Sequence, residues 1–386
     1  MKRCKYFDPY DLWSTPLGIN IRRTYYHRKA GGIISAIGLG FFDWLLPEMV
    51  RKIIRTTARL HPITFAQFIL IETLRKNESI EDPLLVKSIL ELLRYLSVDP
   101  NGKNNKWAWG LRFSWMSKNG FYGPDTPFVT HTPYVMEALI ALNKHSKNSI
   151  ASMEMFYGTY VFLESLLIMH RKKGELAMSY SPRNEPRIVI NANAYACFAY
   201  SMHACYGKKE IRDLAAEKAK AIARWIVKKQ YADGSWAYFA DDMPGNFIDC
   251  FHSCFVIKNL IKAANLLPEL EEIIHVSIEG GWHFIQDNMY DKSHKLCRRF
   301  IVRDIKDPFK WDLYDQAEYL GLLIDFGLIK EAHFFREYVK AKFSRRKNWW
   351  CKIDIFNRPW GYNFLRWGIV PFWYHSSRLD AVSNKL

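Results

Sequence analysis

Cys-x-x-Cys pairs are missing from this sequence. Its seven cysteines are spread from Cys4 to Cys351, and the shortest spacing is four positions, from Cys250 to Cys254. Zinc ribbons and disulfide frameworks are built on such pairs, so the pattern disfavours both. An odd number of separated cysteines is typical of reduced thiols in a cytosolic protein. Cys250, His252 and Cys254 alternate along one segment, but on a helix they point in different directions, so we expect no metal site.

Nucleotide-binding glycine patterns and long apolar runs are also missing. No Walker or Rossmann glycine signature is present, so the sequence predicts no cofactor. The first residues, MKRCKYFDPYDLW, lack the apolar run of a signal peptide. Ile33 to Leu46 is apolar but falls short of the roughly 20 residues that a membrane span needs. We expect this segment to be buried, with a membrane surface as the alternative, in a cytoplasmic protein that contacts at most the inner face of the membrane.

Acidic residues are scarce relative to basic ones. The 386 residues include 55 Lys and Arg against 39 Asp and Glu, which gives a net charge of +16. This excess favours an anionic partner such as an acidic glycan, a phospholipid surface or a nucleotide-sugar. The basic residues are scattered and no nucleic-acid module is present, so nucleic acid is disfavoured. The 14 Trp and 21 Tyr are typical of a cavity that holds sugar rings or apolar ligands, or of an aromatic core.

Apolar residues at helical spacing predict five helix pairs separated by aromatic connectors. Pro62 to Lys76 pairs with Asp82 to Leu96, and His131 to His145 pairs with Ser149 to Arg171. The other pairs are Asn191 to Tyr206 with Lys209 to Gln230, Asp249 to Asn265 with Leu270 to Asn288, and Asp315 to Leu328 with Lys330 to Lys342. The tail from Phe372 would supply part of a sixth pair. Few connectors have enough strand character to form a sheet.

This pattern predicts an all-α fold, an (α/α)5-6 toroid of the terpenoid-cyclase or six-hairpin-glycosidase type. The pairs recur about every sixty residues, longer than a typical solenoid repeat, and an open α-solenoid is the alternative. We expect residues 1–42 to form an irregular segment packed on the ring and residues 43–386 to form one toroid domain. Asp43 to Leu60 is predicted to be an amphipathic helix, packed on its neighbour or on a lipid surface.

Polar residues recur where the first helix of a pair begins. In a closed ring these residues would face one end of a central funnel, and the helix N-termini there would favour an anionic ligand. Helix capping alone is the alternative explanation for Asn191 and Asp249. The recurring set is His131, Thr132 and Tyr134; Asn191, Asn193 and Tyr195; Asp249 and His252; and Asp312, Asp315 and Gln316.

Asp249 and His252 are three residues apart and therefore share a helix face. Such a pair can act as a base and its orienting partner, with Tyr134, Tyr195 or Tyr238 as proton donor. This arrangement suits proton abstraction beside a uronate carboxylate, as in elimination or epimerisation. Hydrolysis is the alternative, with Asp249 and Asp315 as a carboxylate pair. Candidates for positioning the sugar, each near a predicted inner-helix start or on a connector, are His131, Tyr134, Asn191, Asn193, Trp236, Asp312 and Gln316.

Lys220 to Trp236 resembles the QW repeat of the squalene-cyclase and prenyltransferase toroids. Gln230, Gly234 and Trp236 reproduce its Q-x3-G-x-W spacing. In that repeat, a Gln amide and an indole ring would tie an outer helix to the turn that follows it. The resemblance implies a toroid. It does not extend to the chemistry, because the DxDD of the protonating cyclases is absent and adjacent Asp249 and Cys250 do not reproduce the prenyltransferase zinc set.

A second resemblance covers most of the chain and is to VpsJ-type proteins. It is carried by Phe7 to Asp11 with Ser14 to Leu17, by His61-Pro62-Ile63, by Asn191 to Tyr195, and by Phe247 to Asp249 with Phe251-His252. Leu12-Trp13 departs from this family's usual DPYDGL. VpsJ-type proteins are toroids associated with bacterial exopolysaccharide and capsule biosynthesis. The resemblance implies surface polysaccharide synthesis, with an acidic glycan or a lipid-linked oligosaccharide, and polysaccharide synthase components, as partners.

Three functions therefore remain open at the level of sequence. The first is a lyase, epimerase or hydrolase that acts on an acidic glycan in the funnel. The second is a non-catalytic assembly factor of the polysaccharide synthase. The third is an enzyme that handles terpenoids or polyprenyl chains, for which the funnel would be aromatic and have few convergent polar groups.

Overall fold

The computed structural model describes residues 7–8, 12–27, 29–56, 59–75, 82–101, 106–146, 150–302, 308–362 and 364–384. Pro9, Tyr10 and Asp11 of the DPYD segment lie outside the described residues. The helices in the described residues are α1 Pro16–Tyr26, α2 Ala30–Leu45, α3 Pro47–Ile54, α4 Pro62–Arg75, α5 Pro83–Leu96, α6 Thr132–His145, α7 Ile150–Glu164, α8 Ile190–Tyr206, α9 Arg212–Lys228, α10 Cys250–Leu266, α11 Glu271–Phe284, α12 Leu313–Asp325, α13 Ile329–Phe343 and α14 Val370–Ser383.

Six helices close into a ring. Helix α4 packs on α6, and contacts continue in order through α8, α10, α12 and α14, which returns to α4. Helices α5, α9, α11 and α13 bury one face only, and α7 packs against α6 and α8. One continuous apolar core runs through the ring. The predicted α/α toroid is therefore confirmed, and the tail supplies the sixth inner helix, α14.

The connectors hold short antiparallel strands, which the sequence did not predict. The two- to seven-residue runs are too short for a period-2 pattern to stand out. The β3–β4 and β5–β6 pairs are hairpins, and β11, β13, β12 and β14 form a four-stranded sheet. The strands are β1 Phe7–Asp8, β2 Arg59–Leu60, β3 Trp115–Ser117, β4 Gly120–Tyr122, β5 Ile168–Lys172, β6 Glu175–Met178, β7 Ile248–Asp249, β8 Tyr290–Asp291, β9 Leu296–Cys297, β10 Phe300–Val302, β11 Phe309–Asp312, β12 Ser344–Arg345, β13 Asn348–Asp354 and β14 Pro359–Tyr362.

The predicted bounds fail at two places. The helix expected to reach Arg171 ends at Glu164, because the chain turns there and enters the β5–β6 hairpin. The helix expected over Asp43 to Leu60 is the shorter α3, which stops where Arg55 adopts a left-handed conformation.

Where an irregular N-terminal segment was expected, its described residues form helices α1 and α2. Thr15 caps α1 by accepting a hydrogen bond from the Gly18 N–H, and Pro16 occupies the first helical turn. Helix α2 was expected to be buried, yet only Gly32 and Asp43 are buried in it. Within the described residues no single helix is long and apolar enough to cross a membrane, although α2 and α3, bent by 118°, meet that length and composition together.

Candidate functional site

The six ring helices open onto one funnel of about 420 Å³, at the end where these helices begin. Each ring helix supplies lining at or just before its first turns. These residues are His61 for α4, His131 and Tyr134 for α6, Asn191 and Tyr195 for α8, His252 for α10, Tyr314 for α12, and Arg366 with Trp367 for α14. Part of the recurring polar set lies in this lining, and Tyr238 joins it from the α9–α10 connector. The members in the lining are His131, Tyr134, Asn191, Tyr195 and His252.

Asp249 holds His252 in the funnel wall. Nδ1 of His252 lies 2.8 Å from each carboxylate oxygen of Asp249. Because a carboxylate accepts hydrogen bonds, Nδ1 carries the proton. Nε2 is then left to accept a proton or a hydrogen bond from a ligand. Asp249 also caps α10 by accepting from the His252 backbone N–H at 3.3 Å, so the same carboxylate contacts both the backbone and the ring of His252. Tyr238 stands edge-on to the His252 ring, with centroids 4.6 Å apart.

His61 and His131 form a second imidazole pair in the lining, with ring centroids 5.4 Å apart. Burial and, to a smaller extent, the nearby Arg366 guanidinium lower the pKa of His131 to about 3. The pKa of His61 is also held well below its ordinary value by burial and by Arg366. Both rings are therefore neutral at physiological pH and can accept or donate a hydrogen bond.

A buried polar network supports the tyrosines of the funnel floor. The Tyr134 and Tyr195 hydroxyls lie 2.7 Å apart, and Tyr134 accepts from the Lys258 ammonium at 3.0 Å. Lys258 pairs with Glu318 at 2.6 Å. Burial opposes both charges, yet the attraction between them keeps the pKa of Lys258 high and that of Glu318 at about 2. Burial raises the pKa of both tyrosines, so the network holds neutral hydroxyls beside a fixed cation.

The funnel is electropositive. Its lining includes Arg22, Lys118, Arg299 and Arg366, and none of the described lining residues is an Asp or Glu. Asp249 stands behind His252. Helix N-termini that point at the funnel add partial positive charge. Such a surface favours a ligand that carries a carboxylate or a phosphate.

Three lining side chains keep buried polar atoms without a partner among the described residues. These atoms are Oδ1 of Asn119, Oδ1 of Asn191 and both ring nitrogens of His61. An unpaired buried polar atom costs about 1–3 kcal/mol, and such atoms are uncommon in stable folds unless a ligand or water completes them. These atoms therefore remain available to a water or a ligand that enters the funnel.

Asn193 and Gln316 lie behind the funnel wall, and both clamp an inner helix to a preceding strand. Asn193 Oδ1 accepts from the Met178 N–H at 2.7 Å, and its Nδ2 donates to the Met178 carbonyl at 3.2 Å. Gln316 does the same with the N–H and carbonyl of Cys297, at 2.8 and 2.9 Å. Their recurrence in the sequence therefore reflects a repeated fold contact rather than the predicted sugar positioning.

The two remaining candidate carboxylates are also withdrawn from the funnel. Asp312 caps α12 and pairs with Arg299 at 2.6 Å, while it accepts from the Trp367 indole at 3.0 Å. Asp315 is fully buried and accepts from the Phe251 N–H at 3.0 Å, and burial raises its pKa. Asp312 thus positions two lining residues, and Asp315 secures the start of α10. The structure does not place Asp315 with Asp249 as a hydrolytic pair that faces a ligand.

Trp236 belongs to the QW motif contact and lies outside the funnel lining. Its indole donates to the Ile226 carbonyl at 3.1 Å. The Gln230 amide donates to the Gly234 and Ser277 carbonyls, both at 2.8 Å. The motif therefore ties α9 to its following turn and to α11, as the resemblance implies, and Trp236 packs rather than positions a sugar.

Several lining residues carry no recognisable signal in the sequence. Arg22 reaches the funnel from α1 and stacks on Trp115, with its guanidinium carbon 3.9 Å from the ring centroid. Arg366 enters from the turn before α14. Lys258 is not in the lining but supports its tyrosines, and it lies two turns into an apolar helix. By contrast, His61, which was not among the predicted site residues, belongs to a segment that the sequence singled out, His61-Pro62-Ile63. Among the described residues no cluster of His, Cys, Asp and Glu could hold a metal ion.

The chain was compared with known proteins at the levels of sequence and structure. Neither protein-family models nor curated sequences give a match. Solved structures do match. A sugar epimerase from a ruminal bacterium shares 12% identity at a TM-score of 0.60, over 85% of this chain and 88% of that one. Cellobiose 2-epimerase from Bacillus thermoamylovorans shares 10% at 0.59, over 86% and 90%.

A third solved structure extends the comparison to hydrolases. A family 76 glycoside hydrolase from a bovine Bacteroides thetaiotaomicron strain shares 13% identity at a TM-score of 0.52, over 85% of this chain and 69% of that one. At these identities the likeness establishes the toroid fold alone. The resemblance to VpsJ-type proteins stays a prediction.

Proposed function

We propose that this protein is a carbohydrate-modifying enzyme that moves a proton at a carbon atom of an anionic sugar. The observation that carries the proposal is the Asp249–His252 pair in an electropositive funnel. Epimerisation and elimination are the two reactions in this class. Two solved structures of the same fold are sugar epimerases, which supports this choice.

His252 would act as the base in this scheme. Its Nε2 takes the proton from the carbon that bears the carboxylate, and Asp249 stabilises the imidazolium that forms. Arg299 or Arg366 holds the substrate carboxylate and stabilises the charge that develops on it. In epimerisation a proton returns to the opposite face of the carbon, and the Tyr195 hydroxyl, supported by Tyr134, is the proposed donor. In elimination the electron pair instead forms a carbon–carbon double bond, and the C–O bond to the neighbouring glycosidic oxygen breaks. The proposed donor of the proton that the leaving oxygen takes is again the Tyr195 hydroxyl.

Hydrolysis by two carboxylates has less support. That mechanism needs a pair of carboxyl groups flanking the sugar bond, whereas Asp315 is bound to the backbone of α10. A terpenoid-handling site has less support too. Its aromatic funnel would have few convergent polar groups, and here three histidines and four cationic side chains line the same space.

We propose surface polysaccharide synthesis in the cytoplasm as the setting, on the resemblance to VpsJ-type proteins. The test is incubation of the purified protein with uronate-containing oligosaccharides and with neutral oligosaccharides of the same length. Products are followed by NMR and mass spectrometry. A changed acidic glycan, with the neutral one untouched, is the expected result. Binding of the acidic glycan without a product would favour the assembly-factor function over an enzyme. Equal turnover of both glycans would contradict the preference for an anionic substrate.

A further inference from the structure

Helix α2 is apolar, yet the part of the chain that the structure describes leaves most of it exposed. Its 16 residues, AGGIISAIGLGFFDWL, contain one charged side chain, Asp43. Ile34 is 71% exposed and Ile37 67%. A helix that is hydrophobic over most of its surface is normally buried in a core or in a membrane. We call this surface the α2–α3 face, and it consists of Ile33, Ile34, Ile37, Phe41, Phe42, Leu45, Leu46, Met49 and Ile53.

Strands β13 and β14 hold the junction of α2 and α3 in place. Arg51 pairs with Asp43 across the bend. The Trp360 indole donates to the Asp43 carbonyl at 3.0 Å, and the Trp44 indole donates to Asp354 at 3.0 Å. These contacts use the polar groups of the junction and leave the apolar side chains outward. The α2–α3 face is therefore presented by a fixed scaffold.

The charges around the α2–α3 face favour a lipid surface over a protein as its partner. Residues 16–56 contain seven Lys and Arg against two acidic residues, and one of those acids, Asp43, is paired with Arg51. Lys29, Lys52 and Arg55 are exposed near the ends of the two helices. Apolar side chains flanked by basic ones are the composition of helices that lie in a membrane interface. At 100° per residue, the exposed apolar side chains of α2 cover roughly half of the helix circumference. This is wider than the ~100° apolar stripe of a helix packed on protein.

We infer that the α2–α3 face inserts into the interface of a bilayer that contains anionic lipid. A helix of 16 residues is about 24 Å long, less than the ~30 Å hydrocarbon core. Together with the 118° bend, this length fits a pair of helices that lie in one leaflet rather than cross the membrane.

Docking there would bring the membrane close to the funnel. Helix α1 leads into α2, and its Arg22 and Tyr26 line the funnel. A glycan attached to a lipid phosphate could then reach the funnel while its lipid stays in the leaflet. This consequence rests on the proposed function, whereas docking itself does not.

The test is flotation of the full chain with vesicles of phosphatidylcholine and phosphatidylglycerol at 3:1. The variant Ile34→Gln/Ile37→Gln/Ile53→Gln removes three exposed apolar side chains of the α2–α3 face. The matched control is Leu84→Gln/Val276→Gln/Phe334→Gln, three apolar side chains exposed elsewhere on the ring. Circular dichroism verifies that both variants are folded. Turnover of soluble acidic oligosaccharide is measured separately, so that failure of docking is distinguishable from failure of the proposed function.

The wild type and the control should float, and the α2–α3 variant should lose about a hundredfold or more in its partition coefficient. Vesicles of phosphatidylcholine alone should bind the wild type several-fold more weakly, because they lack the anionic charge. The proposal is overturned if the wild type does not float or if the α2–α3 variant floats equally well. It is also overturned if the wild type is a dimer, the substituted protein is a monomer and neither binds vesicles. The α2–α3 face would then be covered by a second copy of the chain.

Discussion

Nδ1 of His252 is equidistant from the two carboxylate oxygens of Asp249, at 2.8 Å from each. Asp249→Asn should therefore lower kcat/KM about a hundredfold or more, because the amide neither fixes the tautomer nor stabilises the imidazolium. Stability should change little, since Asn is as good a helix cap as Asp. Steady-state kinetics and urea unfolding measure the two effects.

Asp82→Asn is the matched control for that change. Asp82 caps α5 by accepting from the Leu84 and Leu85 N–H groups, and it is not part of the funnel lining. The control should keep the activity of the wild type. Wild-type activity in Asp249→Asn would remove Asp249 from the mechanism.

The charge of the funnel gives a second prediction. Arg366→Gln should raise KM for an acidic oligosaccharide about ten- to a hundredfold, because one charge-assisted contact is lost. The dependence of KM on salt should weaken as well. Arg224→Gln, which removes an exposed Arg of α9, should leave both unchanged. Equal effects of the two variants would show that only the overall charge matters.

The QW contact provides a test of the fold with an internal control. Gly234 has a φ of +87°, and a Cβ there would lie 2.2 Å from the Gly280 carbonyl oxygen. Gly327 has a φ of +71°, but a Cβ there meets nothing within 4 Å. Gly327→Ala should cost about 1 kcal/mol of unfolding free energy from backbone strain. Gly234→Ala should cost several kcal/mol, because α9 and α11 must also move apart; equal costs in urea unfolding would refute the close contact.

Buried histidines predict how stability depends on pH. Burial lowers the pKa of both His131 and His203 to about 3. Between that pH and about 6.5 the unfolded chain binds protons at these residues that the folded chain does not, so the unfolding free energy should fall as pH falls through this range. His203→Gln, outside the funnel, should reduce the slope by up to about 1.4 kcal/mol per pH unit. Urea unfolding at several pH values measures the slope, and an unchanged slope would show that His203 is protonated in the fold.

The helix pairs could be predicted because apolar periodicity reports directly on packing against a core. The same signal misled at Ile33 to Leu46, where an apolar segment was expected inside and α2 is exposed. Hydrophobicity shows that a surface needs cover, but it does not show what covers it. The connector strands were missed because most of them have two to four residues, too few for a period-2 pattern to show.

The candidate site was predictable only in part. Asn191 and Asn193 look alike in sequence, two residues apart, but one lines the funnel and the other clamps the β6 strand. Which side chain points inward depends on the rotation of each helix in the closed ring. Arg22 and Arg366 were missed for a related reason, since they reach the funnel from outside the helix pairs.

The most direct test of the central claim is solvent deuterium incorporation by wild-type and His252→Gln protein. Each is incubated in D2O with a uronate-containing oligosaccharide, and NMR locates the label. If the product is epimerised, the account predicts deuterium at the carbon that bears the carboxylate. If the product is eliminated, it predicts a double bond at that carbon instead. His252→Gln should give neither product. A modified glycan with no label and no double bond, or equal turnover by the variant, would contradict proton transfer by His252.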